Sequence, residues 1–444
     1  MPTVSIAGRK IGHDFSPYIV AEMSGNHLRS KERARMIFQE AKKAGVDAVK
    51  IQTYTPETIS IEVPSERIDG KPQWKEIWGW GTGDIFNLYK QVYTPQGEFT
   101  DYLFLLGKEF ALTVFSTPFS VEDAILLATK YNPPAYKLGA LEIDFLPMLE
   151  VVAQTGKPII LNTAVATAEK VDATLAFLKK ASSGPVILLS GPKVYHADSA
   201  SSFGLGRLQA VYERYGSDHV VGLSDHFRGG LYGSDQYIGH EFSTEGILRF
   251  GASMIEKHFC GIHSGLPGQA KRPDGTIDWS KSDIDGGASI TTAEMAEMVR
   301  YAKIAHAKRS GQKLSNADQT LLDRNSALAK IGYGEKFIGP SKAEVDTHEA
   351  EALRFIYARQ DIAEGTVLSF KDLHFSRATH YSNPGWKTHT PLPTSTVSQV
   401  FGNQIKVAIE KGDPIFAESL TKPVDLAKSY EPGLFPLRKE VDVA

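Results

Sequence analysis

Tyr18-Ile19-Val20-Ala21-Glu22-Met23 and Asp47-Ala48-Val49-Lys50-Ile51-Gln52 bracket the stretch whose reading decides the fold. Both are short β-rich runs. Between them Ser30 can cap a helix whose apolar positions Ala34, Ile37 and Ala41 recur at i, i+3 and i+7, and Gly45 can end it. The unit reads β-α-β. Six more runs of the same kind lie at residues 111–116, 135–138, 158–162, 185–189, 219–224 and 253–259, each followed by a longer amphipathic stretch. Eight strands alternating with helices over about 300 residues suit a closed parallel (β/α)8 TIM barrel, with an open doubly wound sheet as the alternative that strand counting leaves standing.

Beyond residue 300 the pattern becomes polar and helical, with residues 315–330 rich in helix formers, and then breaks at Gly332, Gly334, Gly339 and Pro340. Ile362, Gly365 and Leu368 repeat the spacing of Ile409, Gly412 and Ile415, which predicts a small β-rich domain with pseudo-repeated halves. The expected organisation is a catalytic barrel over 1–335, a linker over 336–352, the small domain over 353–422, and an extended tail over 423–444 that contains Pro423, Pro432 and Pro436.

The 444 residues are 42% hydrophobic and 23% charged, which excludes a disordered or fibrous chain. Lys plus Arg (49) nearly balances Asp plus Glu (52), so nothing global favours nucleic acid or an anionic membrane, and an anionic ligand must be held locally. Cys260 is the only cysteine, which excludes an intrachain disulfide and a multi-cysteine zinc site and fits a reducing compartment. The first residues lack a signal-peptide pattern, and no window supplies about 18 uninterrupted apolar residues for a membrane span. A cytoplasmic location is the expectation.

A (β/α)8 barrel carries its chemistry at the carboxyl ends of its strands. The first strand puts Glu22 on the same face as Val20, and a carboxylate beside apolar neighbours needs a partner. The second puts Lys50 and Gln52 on one face, and the fourth brings Lys137. Inward lysines require an anion, either a protein carboxylate or a ligand phosphate. The seventh and eighth strands, Gly222-Leu223-Ser224-Asp225-His226 and Ile255-Glu256-Lys257-His258-Phe259, each deliver a histidine to that end. Two imidazoles on adjacent strands can share a divalent metal, and with oxygen ligands they suit Mn²⁺, Fe²⁺ or Co²⁺ better than zinc. Glu256 or Asp285 can add a carboxylate ligand or bind metal-held water.

Ala21-Glu22-Met23-Ser24-Gly25-Asn26-His27, Ala48 to Thr55, Ser116-Thr117-Pro118-Phe119, Ala135-Tyr136-Lys137 and the two histidine strands, in this order, resemble the N-acetylneuraminate (sialic acid) synthase family. The Met-Ser-Gly-Asn-His form of the first motif is most similar to its pseudaminic acid synthase branch. Arg359 to Gly365, Phe401-Gly402 and Lys411 to Pro414 resemble the family's C-terminal antifreeze-like (SAF) domain. The resemblance implies metal-dependent condensation of phosphoenolpyruvate with the open-chain aldehyde of an acetamido sugar, giving a nonulosonic acid and phosphate. It implies that Lys50, Thr117, Lys137 and Ser224 hold phosphoenolpyruvate, that His226 and His258 ligate Mn²⁺ (Mg²⁺ or Co²⁺ in its place), and that Glu22, Gln52 and Tyr195 position the sugar. Glu142 joins the substrate-binding set, Asp285 falls where the family has an acidic active-site residue, and Arg377 falls where the small domain offers an arginine to the barrel of a second subunit. A homodimer with a shared site follows.

The chain departs from the family where donors are expected. A serine after the fourth-strand lysine is Ala140, the fifth strand ends in Asn162-Thr163-Ala164, and the sixth in Gly191-Pro192-Lys193-Val194-Tyr195-His196. Asn162 can still donate a hydrogen bond, and Lys193 can replace a lost phosphate or carboxylate donor as a point charge. An N-acetylneuraminate- or legionaminate-type acceptor stays open, and the missing hydroxyls also admit a reading of another class, a non-catalytic sugar-acid-binding homologue. Residues 228–245 and 261–287 read as long loops overhanging the mouth, with His240, Glu241, His263 and Asp274 as solvated loop polarity or substrate contacts.

Overall fold

The computed structural model describes residues 1–62, 85–191, 204–227, 239–263, 273, 284–285, 287–340, 354–377, 391–428 and 430–435. Its centre is a parallel sheet of β3 (Tyr18–Glu22), β4 (Ala48–Thr53), β5 (Thr113–Pro118), β6 (Tyr136–Leu138), β7 (Ile159–Asn162), β8 (Val186–Ser190), β9 (Val220–Asp225) and β10 (Met254–Gly261). Each strand pairs with the next, and β10 pairs with both β9 and β3. That last pairing closes the sheet into a barrel and removes the open-sheet alternative. All eight predicted runs are present, with β5 displaced by two residues because Ala111 still belongs to the turn that ends the preceding helix, at φ +50°.

Around the barrel run α1 (Lys31–Ala44), α2 (Pro56–Ile59), α3 (Ile85–Val92), α4 (Glu98–Glu109), α5 (Val121–Leu126), α6 (Leu146–Gln154), α7 (Ala168–Lys180), α8 (Leu205–Tyr215), α9 (Gly239–Phe250), α10 (Thr292–Arg309) and α11 (Asn316–Ile331). Helix α1 shows how locally the sequence dictates this. The Ser30 side chain accepts from the Arg33 amide, Ala34, Ile37 and Ala41 are buried on one face, and Gly45 closes the helix at φ +81°. Among the described residues, no helix is long and apolar enough to cross a membrane.

The sequence did not signal the N-terminal hairpin, β1 (Thr3–Ile6) against β2 (Arg9–Gly12). Its Val4, Ile6 and Ile11 cluster with Tyr18, Val20, Ala48, Phe115, Ile160, Ile187, Val220 and Met254, and so plug the amino end of the barrel. The predicted loop 228–245 is corrected in its second half. His240 and Glu241 lie in α9, buried rather than solvated, with His240 Nε2 3.1 Å from Glu297 on α10. Polar residues on a helix face buried against a polar partner hid the apolar stripe of Phe242, Ile247 and Phe250. Lys193 and Tyr195, Asp274, most of the predicted loop 261–287 and most of the predicted linker lie outside the described residues.

Past β11 (Ile290–Thr291), which pairs with β10, the strand β12 (Arg354–Ala358) pairs antiparallel with β13 (Leu373–Arg377), placing Arg354 opposite Arg377. Ile362 and Ile409 exchange hydrogen bonds of 2.8 and 2.9 Å, and Gly365 and Gly412 take matching left-handed turns at φ +83° and +86°. Residues 430–435 return to the barrel, with Tyr430 and Phe435 buried.

One glycine tests the closure directly. A Cβ on Gly222 of β9 would lie 2.4 Å from the Met254 carbonyl oxygen and 2.7 Å from Leu189 Cδ2. Gly222→Ala is therefore expected to lower unfolding free energy in denaturant by about 1–3 kcal/mol; unchanged stability would show that the seam between β9 and β10 is loose.

Candidate active site

The inward positions of the barrel change character along each strand. Val20 is followed by Glu22, Ala48 by Lys50 and Gln52, Phe115 by Thr117, Ala135 by Lys137, Ile160 by Asn162, Val220 by Gly222 and Ser224, and Met254 by Glu256 and His258. Side chains two residues apart share a face, so the apolar members form the plugged core and the polar members are gathered at the carboxyl mouth.

Four charges meet there within a buried patch. Lys50 Nζ lies 2.5 Å from Glu22 Oε2 and 3.9 Å from Glu256 Oε1, and Lys137 Nζ lies 3.3 Å from the same Glu256 oxygen. Their exposures are 1–7%, so water screens them little. Lys50 also donates to Thr117 Oγ1 at 3.1 Å. Burial raises the Glu22 carboxyl to about 7, against the pull of Lys50 and with the push of Glu256. Burial also lowers Lys137, helped by Lys50 and opposed by Glu256, whereas at Lys50 the flanking Glu22 and Glu256 outweigh burial and raise it. Two ammonium groups held beside Glu256 and beside a Glu22 carboxyl whose ionisation burial disfavours form a site suited to exchange protein counter-charge for a ligand's.

Gln52 Nε2 donates to Glu22 Oε1 and Ser24 Oγ, both at 3.2 Å, and Ser24 Oγ donates to Asp285. Ser24 takes a left-handed φ of +48°, costly for a non-glycine residue, which turns the chain at the end of β3 so that its hydroxyl meets Asp285. Asn26 secures the same corner, donating to the Phe259 carbonyl at 3.2 Å and to Ser289 at 2.8 Å. Asp285 Oδ2 is 3.7 Å from His258 Nδ1, and the His258 and His226 ring centroids are 5.4 Å apart. Burial, then the charges of His226 and Lys50, holds His258 well below the usual imidazole range. The neutral ring is the metal-ligating form, so this pair fits a divalent cation that keeps further positions open to oxygen ligands. Among the described residues, no three His, Cys, Asp or Glu side chains gather into a fuller cage.

Residues of β12 and β13 stand over this mouth. Arg377 donates to Glu142 Oε1 at 2.5 Å and to the Tyr89 hydroxyl at 3.1 Å, and its guanidinium lies over Phe119 at 5.2 Å. Arg354 donates to the same Glu142 oxygen at 3.0 Å. Burial opposes the Arg377 charge, but Glu142 and Tyr89 outweigh it and raise its pKa. Glu142, predicted among the substrate contacts, thus anchors both Arg377 and Arg354. Tyr54 stands edge-on to Tyr89 and Phe119, 5.6 and 5.2 Å away, and its buried phenol is raised well above its ordinary pKa by burial and then by Tyr89 and Asp285.

Glu22, Lys50, Gln52, Thr117, Lys137, His226, His258 and Asp285 are brought together as predicted, and Ser224 stands opposite Glu256 in the β9–β10 register. Asn162 Oδ1 accepts from the Ala164 amide at 2.9 Å, which fixes its side chain over its own loop. The sequence reading assigned no role to Ser24, Tyr54 or Tyr89; Ser24 and Tyr54 lie just after the ends of β3 and β4, and Tyr89 stands on α3. Lys257 belongs to the other face of β10. It pairs with Asp225 at 3.2 Å and donates to the Phe227 carbonyl, fully buried outside the barrel lumen.

Residues 37–313 match the model of the NeuB family. The chain is 28% identical over 336 residues to a pseudaminic acid synthase of Campylobacter jejuni, covering 76% of this chain and 86% of the relative. It is 24% identical to an N,N'-diacetyllegionaminic acid synthase of Legionella pneumophila over 92% of this chain and 96% of the relative. The spore coat polysaccharide biosynthesis protein SpsE of Bacillus subtilis has the same fold, with a TM-score of 0.67 at 22% identity over 95% of this chain and 99% of that one. An N-acetylneuraminic acid synthetase of Leptospira borgpetersenii, in complex with citrate, superposes with a TM-score of 0.53 at 24% identity over 73% of this chain and 97% of that one.

The two kinds of buried lysine should separate in experiment. Lys257→Met leaves Asp225 buried without its cation and is expected to cost about 3–5 kcal/mol of stability by denaturant unfolding. A loss below about 1 kcal/mol would show that the Lys257–Asp225 pair is not structural.

Proposed function

The chain belongs to the NeuB family, and from that premise we propose that it condenses phosphoenolpyruvate with the open-chain aldehyde of an acetamido sugar, giving a pseudaminic-type nonulosonic acid and inorganic phosphate. The observation that most supports this reading is the buried floor of Lys50 and Lys137 against Glu22 and Glu256. Phosphoenolpyruvate carries a carboxylate and a phosphate close together, and two nearby ammonium groups with the Thr117 hydroxyl suit that pattern. Fixed donors of this kind need little reorganisation as charge develops in the transition state.

A divalent cation on His226 and His258, Mn²⁺ in the first instance, would polarise the aldehyde oxygen and template the attacking water. Lys50, Lys137 and Thr117 hold phosphoenolpyruvate so that C3 faces the aldehyde carbon. Attack by C3 forms the new C–C bond and leaves positive charge at C2, where water adds; the resulting tetrahedral centre expels phosphate and leaves the 2-keto acid. Glu22, held protonatable near neutrality, and Asp285, pushed up to about 6 by burial against Ser24 and Lys50, are the groups able to move protons beside those atoms. Gln52 orients Glu22, and Arg377 with Tyr89 faces the acceptor side. The mutual pairing of Ile362 and Ile409 supports reading the small domain as an SAF (antifreeze-like) domain.

The test follows inorganic phosphate from phosphoenolpyruvate with Mn²⁺ and a panel of acetamido hexoses, including 2,4-diacetamido-2,4,6-trideoxy sugars. Sugar-dependent release, fastest with the diacetamido trideoxy acceptor, is expected; a preference for N-acetylmannosamine would move the chain to the sialic branch. His226→Ala should bind less metal and lose at least about 100-fold in rate while staying folded, and an unchanged rate would overturn the metal assignment.

A further inference from the structure

The roof over the mouth is fastened from outside the site. Phe375, two residues before Arg377 on β13, packs on Phe145 beside α6 with ring centroids 5.7 Å apart and on Phe435 of the tail at 6.2 Å. Phe435 also meets Phe370 at 5.3 Å and Phe401 at 6.4 Å, so a tail ring belongs to the core that carries β13. The same segment is bound to the barrel through Glu150 on α6, which is 1% exposed. Glu150 Oε2 accepts from the Tyr430 hydroxyl and from the Phe435 amide at 3.3 Å, and Oε1 accepts from the Gly433 amide at 2.5 Å and from Gln154 Nε2 at 3.4 Å. Gln154 also donates to the Phe435 carbonyl at 3.1 Å. Tyr430 packs on Phe177 of α7 at 5.7 Å, and Lys180 of α7 pairs with Glu431.

A buried carboxylate is costly unless donors fill its oxygens, and those named here are neutral groups, three of them from the tail. Glu150 is therefore matched to this segment rather than to a general counter-ion. We propose that Glu150 and Tyr430 are positioning residues: they latch the tail to α6 and, through Phe435 and Phe375, hold Arg377 where it meets Glu142 and Tyr89. The proposal rests on the reading of Arg377 as an acceptor-side contact. The phosphoenolpyruvate floor is independent of the latch, because Lys50 and Lys137 stand on barrel strands.

Glu150→Gln keeps the side chain's volume but turns one acceptor into a donor facing donors, and Tyr430→Phe removes only the hydroxyl. Each is expected to raise the acceptor KM about tenfold, with the double variant little worse than either single one, because the two act as one unit. Phosphoenolpyruvate affinity measured without acceptor, and kcat at saturating acceptor, should stay within about twofold of the parent. Amide hydrogen exchange should quicken in residues 373–377 and stay unchanged in the barrel strands. An unchanged acceptor KM accompanied only by a lower melting temperature would overturn the positioning role. If the parent protein releases no phosphate with any acceptor, the functional reading fails on its own; exchange then decides the latch, which unchanged protection of 373–377 in Tyr430→Phe would overturn.

Discussion

Lys50 stands between Glu22 and Glu256 in a place that water barely reaches, and much of the molecule serves to make that arrangement tolerable. A lone ammonium there would shed its proton, and lone carboxylates would take one up. The hairpin plug closes the lower barrel with apolar side chains, so the charged groups are confined to one end. Parallel strands then set their spacing: Glu22 lies beside Lys50 in the β3–β4 register, and His258 beside Glu22 in that of β10 and β3. The same low dielectric that makes the cluster expensive would strengthen its hold on the doubly charged ligand proposed for it.

The barrel was legible because its signal is local. Each strand is a short apolar run bounded by turn residues, and the alternation that puts Lys50 and Gln52 on one face needs no knowledge of the partner strand. The polar ends of those runs supplied most of the floor for the same reason. What stayed hidden depends on groups far apart in sequence. Ser24 meets Asp285 across 261 residues, and Glu142 meets Arg354 and Arg377 across 212 and 235. Helix α9 was obscured by its own chemistry, since His240 and Glu241 are polar residues on a buried face. The hairpin was missed because four-residue strands, with two inward side chains on β1 and one on β2, carry too little pattern to stand out.

The departures from the family pattern now have a physical setting. Ala140 lies in the 3₁₀ turn that presents Glu142 to the two arginines, where a buried methyl group suits the packing. Asn162 spends its carbonyl oxygen on its own loop. The upper part of the site accordingly rests on Arg377, Tyr89 and Tyr54, contributed by the small domain and by the segments after β4, while the floor keeps its lysines and histidines. On the proposed reading, a charged floor on barrel strands and a roof carried on residues 354–377 would let the acceptor side change without disturbing the anion site.

Direct titration of phosphoenolpyruvate by calorimetry, without acceptor, into the parent protein and Lys137→Met tests the central claim. Lys137 pairs with Glu256 in the floor, so the account predicts saturable one-to-one binding to the parent and an affinity at least about tenfold weaker in the variant, with the fold intact by circular dichroism. Equal affinity in the two proteins would contradict the assignment of the buried lysine pair as the anion site.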